Sequence, residues 1–538
     1  MKPRLPSSSL VFGAFAGSFL LYLFGLVLPY SLSAHVAHAP ISFPEIARRH
    51  PLPAVAFLAT LLALFGLYAL VYRTCRRHPR RVSPPLILLC GLTLALLLTL
   101  TYPVGAGDVV DYVTHGEELF YYRENPLVVP PGQLPDTAFA RYSAYRMAPS
   151  NYGPFWTWIS ALVVGALGRE SLALNLMGFK GVAIAAYLAQ AWLIYAVLRR
   201  RHPDLAPAGL AFFAWNPLVL YEFAVNGHND AAMMAFALLS IYFWERRRPM
   251  LMTAALTLSF LVKIPTAPLL PLFLLACARS VWSQAQGTAV RYQARSAAEC
   301  RIMRYFASLR SALRTFLVRS QARSAAEGRQ CDSASFRRLL STGRLLLSAV
   351  LLSGALVALA YLSLPDPLAA LTNLSSRFGL LTHSLPALLS LTLRLVGLNE
   401  MDAGRMAQAA ALGAFAAAFV LQLARTWERP GAVIRYAFDL MLFLLLFTTL
   451  WFQPWYVTWA VALAALFPRP EAPLQAGLFS LTVVFSYVVY GFVWLWIPHQ
   501  ANWGDTLGIT LMAVATTYLI PWGYTLRVWV RSGRVGLQ

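Results

Sequence analysis

The sequence predicts an all-α polytopic membrane protein, and three observations carry that prediction. Hydrophobic residues make up 58% of the 538 and charged ones only 12%, with a mean hydropathy of +0.58. Soluble domains do not have that balance. Apolar runs of about 17–25 residues, enough to cross a bilayer as a helix, recur along the chain. Arginines cluster between those runs, as they do in cytoplasmic loops. The runs are continuous rather than alternating, which excludes a β-barrel.

The full-length runs are 10–34, 51–72, 85–104, 174–198, 206–224, 345–364, 402–424, 474–497 and 505–526. Shorter or interrupted ones fall at 154–168, 230–245, 249–278, 432–451 and 455–468. The first run is too long for a signal-peptide core and reads as a retained helix. Arg73, Arg76, Arg77, Arg80 and Arg81 place the second loop in the cytoplasm, so the amino terminus is inside and the loop at 105–150 outside. Arg199–Arg201, Arg246–Arg248 and the segment 279–344 belong inside by the same rule. The count closes if 154–168 is an interfacial helix and 249–278 is a hairpin of two partial helices broken at Lys263-Ile264-Pro265. Broken helices are tolerated where they line a cavity. The expectation is a fold of about 12 transmembrane helices plus partial and interfacial ones, with both termini cytoplasmic.

Three segments follow. Residues 1–278 form an N-terminal transmembrane catalytic module with an outer loop at 105–153. Residues 279–344 form a basic cytoplasmic insertion, with 13 arginines against three acids and the sequence of Gln293–Glu299 repeated at Gln321–Glu327. Residues 345–538 form a C-terminal transmembrane module. The net charge of +22 sits largely in loops, so its partner is the lipid bilayer rather than nucleic acid. The five cysteines (Cys75, Cys90, Cys277, Cys300, Cys331) show neither metal spacing nor a disulfide framework.

Chemistry concentrates where polar residues interrupt the apolar pattern, because an ionisable group within a span is costly unless paired or functional. Six of the 22 acids lie between Gly105 and Asp136: Asp108, Asp111, Glu117, Glu118, Glu124 and Asp136. Asp108 and Asp111, three apart, share a helix face if a helix begins there. Either can act as a general base towards a hydroxyl, or serve as a cap and a solvated acid. Glu222 precedes Asn226-Gly227-His228-Asn229-Asp230, a polar turn richer than a hairpin needs. His228, Asn229 and Asp230 suit hydrogen bonds to sugar hydroxyls or phosphate; their spacing is not that of a metal site. Lys263 is a lysine within an apolar segment and can neutralise a phosphate. Arg141, Arg146 and Lys180 compete for that role. Trp451, Phe452, Trp455, Tyr456 and Trp459, around Gln453-Pro454, form either an interfacial belt or a platform for sugar rings. No phosphate-binding glycine loop or nucleotide domain is evident, so an already activated donor fits best.

At these landmarks the chain resembles the GT-C superfamily of membrane glycosyltransferases, and most closely the polyprenyl-phosphomannose-dependent α-1,6-mannosyltransferases of bacterial lipoglycan synthesis. The matching residues are Asp108-Val-Val-Asp-Tyr112 with Gly116, Asn125-Pro126, Tyr152-Gly153-Pro154 and Trp215-Asn216-Pro217-Leu218. Gly227–Asp230, Lys263-Ile-Pro265 and Pro454-Trp455-Tyr456-Val457 complete the set. The resemblance implies an inverting transfer of a hexose, mannose in that family, from a polyprenyl-phosphate donor to a cell-envelope glycan or glycolipid on the extracytoplasmic face. By position it assigns the base to Asp108 and leaves Asp111 as an extra acid. Tyr112, Tyr152, Glu222, His228, Asn229, Asp230, Trp455 and Tyr456 then line the sugar or acceptor site, and no metal or other cofactor is implied. The rival readings are a transporter or lipid flippase, for which no inverted repeat is visible, and a non-catalytic assembly partner.

Overall fold

A computed structural model describes residues 7–280, 343–372, 381–493, 496 and 503–535. Residues 281–342 of the basic insertion, with the repeat, Cys300 and Cys331, lie outside the described residues. Among the described residues the fold is helical without strands, apart from the isolated bridges Ser31–Thr101 and Thr382–Trp451.

The first half runs α1 (Ser8–Val27), α2 (Pro51–Arg77), α3 (Pro84–Leu98), α4 (Asp108–Glu117), α5 (Pro154–Leu167) and α6 (Leu172–Arg201). It continues with α7 (Pro203–Ala214), α8 (Pro217–Val225), α9 (Asp230–Glu245), α10 (Pro249–Val262) and α11 (Ile264–Ser280). The second half comprises α12 (Gly343–Leu362), α13 (Leu385–Leu395), α14 (Glu400–Glu428), α15 (Pro430–Thr448), α16 (Val457–Ala464), α17 (Glu471–Val493) and α18 (Leu507–Arg531).

Local chemistry sets the helix boundaries. Proline opens α2, α3, α5 and α10, where its missing N–H costs nothing. The side chains of Ser171 and Asn399 cap α6 and α14. Arg76–Arg77 and Arg199–Arg201 close α2 and α6, where cations complement the helix dipole.

Eight of the described helices (α1, α2, α6, α12, α14, α15, α17 and α18) are long and apolar enough to cross a membrane, or nine if α7 and α8 make one bent span. The chain is therefore a polytopic helical membrane protein, with fewer full-length spans among the described residues than the roughly 12 expected. Several anticipated runs fold as shorter helices. The run 85–104 ends at Leu98 after 15 residues, about 22 Å of helix against a hydrocarbon core of about 30 Å. The buried Lys180 ammonium donates to the carbonyls of Thr99 (3.0 Å) and Thr101, holding the chain beyond Leu98 out of the helix. The run 206–224 is bent by 50° at Asn216-Pro217. Pro217 cannot continue the hydrogen-bond ladder, and the Asn216 side chain instead accepts from Leu218 N (3.0 Å) and Val219 N (3.3 Å). The Asn216 amide also reaches Ser480 of α17 at 3.1 Å, tying the two halves together. The break expected at Lys263 is present: α10 stops at Val262, and Lys263 is extended ahead of the turn Ile264–Thr266.

The segment 99–153, the α8–α9 turn, the α10–α11 break and residues 451–456 gather at one end of the bundle. Gly153 is pressed on α10 so closely that its N–H donates to Val262 O (3.0 Å) and a Cβ would collide with the Leu261 carbonyl. Gly153→Ala is expected to destabilise the protein by about 1–3 kcal/mol through forced separation of backbones. Thermal unfolding in detergent checks this, and an unchanged midpoint would show that α5 does not depend on the contact.

Candidate active site at the gathered end of the bundle

Asp108 is the first residue of α4, and its side chain keeps 16% exposure. Behind it stands a buried set of polar groups from the α8–α9 turn. That turn reverses at Gly227, whose φ of +69° favours glycine and whose Cβ position faces Val109 at 3.3 Å. His228 lies with Nδ1 3.7 Å from Asp108 and Nε2 3.2 Å from Glu222, although neither nitrogen is aligned for a hydrogen bond. Glu222 accepts from the Asn226 amide at 2.7 Å, and Asn226 in turn accepts from Gly105 N at 3.0 Å. The α8–α9 turn is thus tied to the residues leading into α4.

Asp230 opens α9, fully buried, and forms the second charged unit. Its carboxylate accepts from Lys263 Nζ at 2.9 and 3.1 Å and from Trp459 Nε1 at 2.6 Å. The ammonium lies 4.7 Å from the Tyr456 ring centre and 5.8 Å from that of Trp459, so π faces supplement the carboxylate. Trp455 stacks on His228 with ring centres 4.1 Å apart. Tyr112 is buried edge-on to Tyr152 and Trp156, and its hydroxyl accepts from Asn229 N at 3.3 Å.

The acids of 105–136 separate by role. Asp108 faces the cluster. Asp111 is buried and accepts from Ser143 at 2.5 Å. Glu117 accepts from the backbone of Ala138 (2.7 Å) and Phe139 (3.1 Å) and pairs with Arg169 at 2.8 Å. Glu118 meets His115 at 2.8 Å. Glu117 and Asp111 therefore tie the 105–153 segment together from within, while Glu118 pairs within its own helical stretch. Burial raises the Asp108 carboxyl from the ordinary carboxylate range to about 7; Asp111 and Asp230 push it further, against Lys263 and a Tyr152 hydrogen bond. Burial also raises Asp111, opposed by His115 and Ser143.

The anticipated site residues thus divide. Asp108, Tyr112, Tyr152, Glu222, His228, Asn229, Asp230, Lys263, Trp455 and Tyr456 come together. Arg141 and Arg146 are exposed on the 105–153 segment, where Arg141 donates to Tyr142 at 2.6 Å. Lys180 is committed to the carbonyls after α3. Trp459, from the same aromatic cluster, is the second partner of Asp230, a role the sequence did not assign to it. Among the described residues no three His, Cys, Asp or Glu side chains are placed to hold a metal ion.

Fold and site together define a polytopic membrane protein with a partly open carboxylate backed by buried, paired charges. Residues 10–279, half of the 538-residue chain, match the MptA_B family, described as alpha-(1->6)-mannopyranosyltransferase, N-terminal domain, and the chain belongs to this family. Its class is accordingly glycosyltransferase. No curated protein matches the chain.

Removing one member of the Asp230–Lys263 pair leaves a buried charge alone. Lys263→Met is expected to cost about 3–5 kcal/mol, and Asp230→Asn with Lys263→Met much less than the sum of the singles. A double-mutant cycle by denaturant unfolding in micelles checks this, and additive effects would show the pair to be uncoupled.

Proposed function

We propose that this chain is an inverting glycosyltransferase that moves a hexose, mannose by the family description, from a polyprenyl-phosphate carrier to a cell-envelope glycan or glycolipid. In this reading the reaction occurs at the extracytoplasmic face of the plasma membrane, with both termini in the cytoplasm. Residues 1–278 carry the catalytic carboxylate, and the module at 345–538 completes the site with Trp455, Tyr456 and Trp459. The observation that carries the reading is the accessible Asp108 carboxylate in front of carboxylates that are sealed or paired.

In the reaction, Asp108 accepts the proton of the acceptor hydroxyl as that oxygen bonds to the anomeric carbon. The bond from that carbon to the phosphate oxygen breaks, and polyprenyl phosphate leaves with the electron pair. Inversion follows from attack opposite the leaving group. Lys263, 13% exposed at the cluster's edge, offsets the charge developing on the phosphate. Arg141 and Arg146 add positive charge on the same exposed segment. Glu222, His228, Asn229 and Asp230 are too deeply buried to meet the sugar in this arrangement, so they act by positioning Asp108 and Lys263. Tyr152 and Tyr456 are partly open and offer ring faces to the sugar. Asp111, held by Ser143, organises the segment rather than receiving the proton.

A base must be ionised to work, so activity falls as pH drops through its pKa. With labelled polyprenyl-phosphomannose and an α-mannoside lipid acceptor, kcat/KM is expected to fall about tenfold per unit below pH 7 and to level above it. Asp108→Asn is expected to lose about 100- to 10,000-fold while remaining folded, because it removes a carboxylate that folding holds towards its protonated form. Asp111→Asn is expected to keep most activity. Loss in Asp111→Asn with activity retained in Asp108→Asn would move the base, and inert wild type with every polyprenyl-phosphate sugar tried would overturn the enzyme reading.

A further inference from the structure

Asp108 is partly open to solvent at the start of α4, and Tyr145 stands at that opening, half exposed at 51%. Burial, and then the Asp108 and Asp111 carboxylates, raise the Tyr145 phenol above its ordinary range. Its hydroxyl end therefore turns in towards the two acids while the rest of the residue stays in solvent. The same hydroxyl faces Tyr456 from the second half of the chain. One aromatic residue thus lies between bulk water and the proposed base.

The backbone holds Tyr145 there. Tyr145 N donates to Ser143 Oγ at 3.0 Å, and that hydroxyl donates onward to Asp111 at 2.5 Å. Beyond it, Ala148 N donates to Tyr145 O at 2.8 Å and Gly132 N to Arg146 O at 2.7 Å. A Cβ on Gly132 would lie 2.8 Å from Met147 Sδ and 2.9 Å from the Arg146 carbonyl oxygen, so the chain at Gly132 presses directly on this turn. These ties fix a half-exposed ring in place, against the entropy that loosens an exposed loop. The chemistry gives such a ring a use. A carboxylate that takes a proton from a sugar hydroxyl can take one from water. Water attacking the anomeric carbon would leave one proton on Asp108 and keep the other on the new hydroxyl. The bond to the phosphate oxygen would break, polyprenyl phosphate would leave with the electron pair, and the sugar would be lost as free hexose. Transfer therefore depends on keeping water from the reacting atoms.

We propose that Tyr145 is a specificity-determining residue of the reaction: its ring, held by the Ser143–Asp111 tie, screens Asp108 from water, so that a sugar hydroxyl and not water is the nucleophile. The proposal rests on the glycosyl-transfer reading and extends it to the choice between transfer and hydrolysis of the donor. It also gives the buried Asp111 a part in that choice, since holding Ser143 holds the screen.

Tyr145→Ala removes the ring, Tyr145→Phe keeps it, and Ser143→Ala loosens the turn. After a thermal melt confirms folding, each variant receives labelled polyprenyl-phosphomannose with the α-mannoside lipid acceptor, and free and transferred mannose are measured separately. The ratio of free to transferred mannose is expected to rise about tenfold in Tyr145→Ala and about threefold in Ser143→Ala, with Tyr145→Phe close to wild type. Adding Asp108→Asn to Tyr145→Ala is expected to abolish release as well as transfer, because both use one carboxylate. Labelling of Asp108 by a water-soluble carbodiimide and an amine, read by peptide mass spectrometry, needs no turnover. It is expected to run about three- to tenfold faster in Tyr145→Ala. Release and transfer that fall together in Tyr145→Ala would overturn the screen and show a structural role only. So would an unchanged ratio, unchanged labelling, an equal rise in Tyr145→Phe, or release that persists without the Asp108 carboxylate. If wild type neither transfers nor releases sugar, the reaction reading fails, and the labelling still decides whether Tyr145 screens Asp108.

Discussion

The ion pair between Lys263 and Asp230 is the contact on which the site depends. Neither charge is affordable alone among apolar helices, so their pairing fixes α9 against α10. The indole of Trp459 takes part of the same carboxylate and brings α16 to the same point. With those three helices locked, the turn before α9 has one course. It passes through Gly227 in the left-handed region and leaves His228 between Glu222 and Asp108. Asp108 meets this array at the mouth, where α4 begins.

A consistent electrostatic logic runs from the sealed groups to the open one. Asp230 is neutralised by a lysine, Glu222 is hydrogen-bonded by Asn226, and Asp111 by Ser143. Asp108 alone of these keeps an open side, and burial together with the Asp111 and Asp230 charges raises its proton affinity to about 7. Proton abstraction near pH 7 requires that combination of exposure and basicity.

Much of this was legible in the sequence, for identifiable reasons. Prolines at the starts of α2, α3, α5 and α10 and arginines at the ends of α2 and α6 mark boundaries through backbone chemistry that acts locally. The run from Asn226 to Asp230 stands out because so many polar residues inside apolar sequence need a purpose. The bend at Asn216-Pro217 was hidden under continuous hydropathy, although Pro217 was its visible cause. The early end of α3 was less accessible, since it depends on Lys180 reaching the carbonyls of Thr99 and Thr101 from some 80 residues away. Long-range pairing likewise decided which acids face inward: nothing local distinguishes Asp108 from Asp111, and nothing near Asp230 announces Trp459. The basic residues Arg141 and Arg146 have the right charge, but loop direction, which pattern does not encode, leaves them exposed.

The most direct test of the account is a structure of the protein in nanodiscs with a non-transferable phosphonate analogue of polyprenyl-phosphomannose and an α-mannoside acceptor bound together. The account predicts the acceptor hydroxyl within hydrogen-bond reach of an Asp108 oxygen, the phosphonate on the Lys263 side, and the Asp230–Lys263 pair intact behind them. An acceptor hydroxyl lodged against Asp111, or both ligands bound at the opposite end of the bundle, would contradict it.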